Sequence, residues 1–209
     1  ARHLLDHHAD CLPDLSGLMV LVPNHRAGQD FARALTQAAG RRVLIPPRIT
    51  PLKAWADSVA DGHAEPQPRR LARLHGVLRH AEWLGAVDKW ALTSELLQLA
   101  DELSAARLGG AIGSRLRALH AAALDRETAL IEAVWQALNR DGNDPQARYA
   151  RALDTLLEQI GGDPKPICGY ALGTLTAVEQ QFLDRCAEHV PLTLFEPDNE
   201  DGISLVLQQ

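Results

Sequence analysis

Aromatic residues are scarce in this chain. Two Tyr, three Phe and four Trp make up 4% of its 209 residues. A base-stacking platform needs exposed rings in a basic groove. Trp55, Trp83, Trp90 and Trp135 instead all fall inside helical patterns, which points them to core packing. Cysteine is equally sparse. Cys11, Cys168 and Cys186 are scattered without a Cys-x-x-Cys pair. That excludes a disulfide framework, disfavours a zinc or iron–sulfur site built on cysteines, and suits a reducing, cytoplasmic setting. Long hydrophobic runs are also missing. A stretch such as Leu18–Val22 is far too short to cross a bilayer, so no membrane role is expected. No signal peptide is visible, and the chain opens Ala-Arg-His-Leu-Leu without a methionine, so it is expected to be a piece of a longer protein.

An overall excess of positive charge is lacking too, and its distribution says more than its sum. The formal net charge is −6. Residues 163–209 hold two basic residues, Lys165 and Arg185, against eight acidic ones, which accounts for all of it. The first 162 residues balance at 19 of each sign. Between Pro23 and Lys53, however, six basic residues (Arg26, Arg33, Arg41, Arg42, Arg48 and Lys53) face a single Asp30. A local +5 can touch phosphates, while the overall acidity argues against a strong free-standing nucleic-acid binder.

Leu18-Met-Val-Leu-Val22 is an uninterrupted apolar run between Gly17 and Pro23, the pattern of a buried parallel strand. Asn24 can cap a helix over about 26–39, with Ala27, Phe31, Ala34, Leu35 and Ala38 on one face and Gly40 closing it. Val43-Leu-Ile45 reads as a second strand, cut off by Pro46-Pro47. Residues 2–11 read as a short helix that Pro13 stops.

From Pro51 to Ile160 the periodicity is helical throughout. The predicted helices are 52–60, 69–84, 93–108, 114–124, 128–139 and 145–160, separated by glycines and Asp141-Gly-Asn143. Strand character then returns at Ile167–Tyr170, with a helix over Thr176–Glu188 and strands at Leu192–Phe195 and Ile203–Leu207. The expected fold class is therefore α/β: a parallel-sheet core formed by 1–50 and 163–209, interrupted by an all-helical insertion over 51–162.

Two segments carry a family resemblance. Leu18-Met-Val-Leu-Val-Pro-Asn-His-Arg-Ala-Gly-Gln-Asp-Phe-Ala-Arg-Ala-Leu35, followed by Leu44-Ile-Pro-Pro-Arg-Ile-Thr-Pro-Leu52, resembles the start of AddB-type DNA-repair proteins, with their "VLVP" strand and "LPRI-x-PL" turn. Ile167–Asp198 is similar to the strand–helix–strand of UvrD- and RecB-type helicases. The resemblance implies a P-loop NTPase-like core of a superfamily-one helicase with its motor inactivated. In an active helicase of this class the first of these strands ends in an Asp-Glu pair that holds Mg2+. The matching residues here are Gly169 and Tyr170, and neither binds a metal.

A phosphate loop ending in Gly-Lys-Ser/Thr is absent as well. By the resemblance, the chain would have no catalytic residues and no cofactor, and would position single-stranded DNA or dock a helicase/nuclease partner subunit in double-strand break repair. ATP and Mg2+ enter only under a rival reading, an active helicase whose phosphate loop lies upstream of residue 1, with Asp198 taking the metal. A second rival is a pure interaction scaffold, which the net −6 favours. The residues singled out for DNA are Asn24, His25 and Arg26, whose amide, imidazole and guanidinium donors suit phosphates at a helix N-terminus, together with Arg48. His3, His7, His8 and Asp10 have no third well-spaced ligand and are read as structural, so no metal site is expected.

Overall fold

The computed structural model describes residues 1–40, 43–105, 125–139, 144–197 and 203–207. The chain is a mixed α/β protein that divides into two compact units, residues 1–59 with 152–209, and residues 60–151.

The first unit is organised by a sheet of order β2-β1-β3-β4-β5. Its strands are β1 (Met19–Val22), β2 (Arg48–Pro51), β3 (Ile167–Tyr170), β4 (Leu192–Pro197) and β5 (Ile203–Leu207). The first four run parallel, and β5 closes the edge antiparallel to β4. β1 lies at the centre of the parallel part. Met19 pairs with Arg48 on one side and Ile167 on the other, and Leu21 with Thr50 and Gly169. All four β1 residues are buried, as expected of a strand covered on both faces.

Side chains alternate across a strand. Val20, Val22 and Cys168 accordingly pack with Phe31 and Leu35 of helix α2 (His25–Ala39) and Leu4 of helix α1 (Arg2–His7). Toward the other face belong Trp55 of helix α3 (Leu52–Val59) and Phe182 of a helix over Ala177–Ala187, whose rings meet edge to face at 6.1 Å.

The second strand departs from the sequence expectation. Val43 and Ile45 are not in the sheet; they are 81% and 48% exposed. Ile45 spends its backbone on the loop before β1, donating its N–H to the Pro13 carbonyl and accepting from the Leu15 N–H. Pro46 and Pro47 have no N–H to offer a ladder. The ladder therefore starts only at Arg48, whose N–H reaches the Leu18 carbonyl at 3.0 Å. An Arg and a terminal Pro51 suit this outer strand, where one side of the backbone needs no partner. The helix expected over 2–11 also ends early, at His7, and a 3-10 turn over Ala9–Cys11 succeeds it.

The second unit contains helices α4 (Gln67–Leu78), α5 (Lys89–Ala105) and α6 (Asp125–Asn139), and the start of α7 (Pro145–Gly162). A helix expected over 114–124 lies outside the described residues. Leu74, Leu78, Leu97, Ala100, Val134 and Leu138 form this unit's core. Two segments expected in the helical block belong to the first unit instead: α3, whose Leu52, Trp55 and Ala56 are buried, and α7 from Ala152 on, which buries Leu153, Leu156, Leu157 and Ile160. Trp90 is 56% exposed and stacks on His75 at 4.1 Å, so it is not the core residue its helical setting suggested. Trp83 falls in a 3-10 turn over Glu82–Leu84, beyond the end of α4.

One ion-pair network ties distant parts of this unit together. The guanidinium of Arg70, on α4, donates to Asp101 of α5 and to Asp144 just before α7. The Arg70 and Asp144 side chains are 4% and 1% exposed. Asp144 also caps α7 by accepting the Ala147 N–H at 2.9 Å. Removing the cation would leave a buried carboxylate without its partner charge. Arg70→Ala is therefore expected to destabilise the protein by about 3–5 kcal/mol, read as a lowered urea midpoint. A midpoint within error of the parent would show that this network contributes nothing.

Candidate nucleic-acid interface

In an open parallel sheet the residues after the strands gather at one end, and ligands favour the crevice where the chain reverses direction across the sheet. Here that crevice lies beyond the C-terminal ends of β1 and β3. From β1 the chain crosses through α2 to β2 on one side, while β3 leads to β4 on the other.

Beyond Val22 the chain turns at Pro23 and enters α2. Asn24 is extended (φ −159°), and its side-chain oxygen accepts the Ala27 N–H at 2.9 Å, as a helix cap should. His25 and Arg26 are the first two residues of α2, and both are exposed. The first turn of α2 sits close to the sheet because Gly28 lacks a side chain. A Cβ there would lie 3.4 Å from both Val22 and Ile49. One neutral cap, one imidazole and one guanidinium thus stand at the positive end of a helix.

Beyond β3 the picture differs. Tyr170 packs its ring on Phe31 at 5.1 Å. Ala171 takes a left-handed conformation (φ 50°) and donates its N–H to the Phe195 carbonyl at 2.8 Å. The next helix, α8 (Ala177–Ala187), opens on a capping box. Thr176 and Glu179 satisfy each other's backbone N–H groups, and the Glu179 carboxylate also accepts the Thr176 hydroxyl proton. That carboxylate offsets the positive end of α8, so of the two helix starts only that of α2 keeps an uncompensated positive field.

Gly169 and Tyr170 occupy the end of β3, where the helicase resemblance places a motor's metal-binding carboxylates. The position of Gly169 is crowded. A Cβ there would lie 2.6 Å from Leu194 and 2.9 Å from Leu172, both side-chain contacts. Both contacts are with the terminal methyl groups of half-buried leucines, which would have to shift to admit a larger side chain. Asp198 lies outside the described residues. No group of three potential metal ligands occurs among the described residues.

Arg48 does not belong to this end. It opens β2 opposite Met19, the first residue of β1, whereas Asn24–Arg26 come after the last. At about 3.3 Å per residue, the strand alone separates them by roughly 10 Å. The structure brings Asn24, His25 and Arg26 together and leaves Arg48 at the opposite end of the strands.

Nucleophilic chemistry is also weak in this unit. Cys168 and Cys186 are buried, and burial pushes both thiols up to about 12. His8 lies 3.6 Å from the Cys168 sulfur, but burial and then the neighbouring His7 lower its proton affinity. A thiol kept protonated beside an imidazole disfavoured as a cation is not an activated pair.

No protein-family model and no curated protein matches this chain in sequence.

Two outcomes test this geometry. Gly169→Asp, which places a carboxylate where the helicase resemblance would have one, is expected to cost about 3 kcal/mol through the charge it buries in the strand, and to gain no Mg2+-dependent ATP hydrolysis. A variant with the parent's urea midpoint would show that the position is open after all. Thiol titration with a chromogenic disulfide at pH 8 is expected to find Cys11 reactive at once. Cys168 and Cys186 should react only on unfolding. Rapid reaction of all three would contradict the burial that holds them protonated.

Proposed function

We propose that this chain is a non-catalytic, helicase-like domain that positions single-stranded DNA or docks a motor or nuclease partner in double-strand break repair. One observation carries the reading. At the end of β3, beside the crevice where a parallel nucleotide-binding sheet would do its chemistry, stand Gly169 and Tyr170, with methyl groups of Leu172 and Leu194 against Gly169. Phosphoryl transfer depends on electrostatic stabilisation by a metal and its carboxylates. A strand end packed with leucine supplies none. The two-unit division and the parallel β1–β3 pairing agree with a motor-type core carrying a helical insertion.

The same crevice retains what phosphate binding needs. His25 and Arg26 are exposed at the start of α2, and Asn24 holds that start in place. Contacts of this kind position a nucleic-acid backbone without reading its sequence. The rival reading, a motor completed by a phosphate loop upstream, would take its metal on Asp198, which lies outside the described residues. The net −6 speaks for the pure scaffold, in which the crevice meets no DNA.

The deciding experiment is fluorescence anisotropy with a labelled oligo-dT strand at two salt concentrations. Binding is expected to weaken steeply with salt. Arg26→Ala should lower affinity several-fold and reduce the salt slope by about one. Arg48→Ala should leave binding within about twofold of the parent, because Arg48 stands at the other end of the strands. Absence of binding even at low salt would leave the scaffold reading in its place.

A further inference from the structure

The edge of the sheet where the parallel strands begin holds a cavity that the proposed function does not use. Its volume is about 150 Å³, and it opens to solvent. The first residues of β1 and β3, Met19 and Ile167, line it together with Ile160 of α7 and Trp55 of α3. All four are buried, so they form an apolar wall. The polar lining consists of Arg48, Gln159, Asp163 and Lys165, all exposed.

Size and charge each narrow the occupant. A cavity of about 150 Å³ takes a body the size of one benzene ring. Of the two cations, Lys165 is already engaged, with its ammonium 2.8 Å from the Asp163 carboxylate. The Arg48 guanidinium forms no ion pair or hydrogen bond with the described residues, and it sits at the mouth of an apolar recess. Together with Asp163 and Lys165 it gives the rim a charge of +1. A planar fork of donors beside an apolar wall is suited to a carboxylate or phosphate oxygen pair. The Gln159 amide can supply one further donor.

We propose that this cavity is a binding site for a small organic monoanion, with a ring-sized apolar body against Trp55, Ile160 and Ile167 and its anionic group on Arg48. The site is independent of the DNA reading. It lies at the opposite end of β1 from Asn24–Arg26, and it stands or falls without them.

Isothermal titration calorimetry with phenylacetate, phenylacetamide and inorganic phosphate tests the assignment. Phenylacetate supplies both body and charge and is expected to saturate one site. The neutral amide and the bare anion should each bind at least about tenfold more weakly. Arg48→Ala, a change at an exposed position, should weaken phenylacetate by about tenfold or more. Location has its own readout. Of the four Trp indole N–H resonances, the one removed by Trp55→Phe should be the one that shifts with phenylacetate. Three results would each overturn the proposal: no saturable binding, equal binding of the amide, or a shift confined to another Trp. Displacement of phenylacetate by oligo-dT in the parent but not in Arg26→Ala would equally overturn it, because the anion would then belong to the DNA-facing end.

Discussion

The first unit depends on one constraint, the complete burial of β1. Its four residues are buried, and it pairs with β2 along its whole length and with β3 at Met19–Leu21. Burying a side chain such as Leu or Val contributes about 1.5–3 kcal/mol. A one-residue slip would exchange the two faces and lose the match to α2 on one and Trp55 on the other. With β1 held in place, parallel pairing orients β2 and β3. The segments leaving β1 and β3 must then share one end of the sheet, and the segments entering β2 and β3 must share the other. The crevice beyond the ends of β1 and β3 and the cavity at Arg48 are the two consequences.

The chemistry available at those ends is set by the side chains that fill them. Where a metal-binding carboxylate would stand, Gly169 allows Leu172 and Leu194 to close over the strand. The same absence of a side chain that permits this packing removes the charge that would stabilise a phosphoryl transition state. The helix starts diverge for an equally local reason. Glu179 turns inward to complete a capping box at α8, whereas Asn24 caps α2 without adding charge. Among the described residues, this end of the sheet offers an anion the exposed imidazole of His25 and guanidinium of Arg26 at the start of α2.

The helical unit shows a different dependence. Its core is aliphatic, but the polar tie from Arg70 to Asp101 and Asp144 joins segments 31 and 74 residues apart. A pair this deeply buried is a poor source of net stability, and its partners cannot be separated without leaving charge in an apolar setting. The Arg148 guanidinium similarly donates to the carbonyls of Asp61 and Gly62, fixing the segment before α4 against α7. Both ties join residues far apart along the chain.

Features that rest on near neighbours were legible in the sequence. The apolar run of β1, the Asn24 cap, Gly40 at φ 66° and the Thr176 start of α8 each depend on a few adjacent residues, and each lies where the sequence places it. The second strand was not legible. Apolarity favoured Val43–Ile45, but the loop before β1 took up the backbone of Ile45, and the ladder fell to the more polar Arg48–Pro51. Nor could periodicity show that Trp90 turns outward onto His75, or that Arg48 and Arg26, close in sequence, stand at opposite ends of the sheet. Caps, turns and apolar runs are short-range, so the sequence alone determines them. Which backbone a strand pairs with, and which side chain closes over Gly169, depend on groups brought together only by folding, and there the tertiary structure decided.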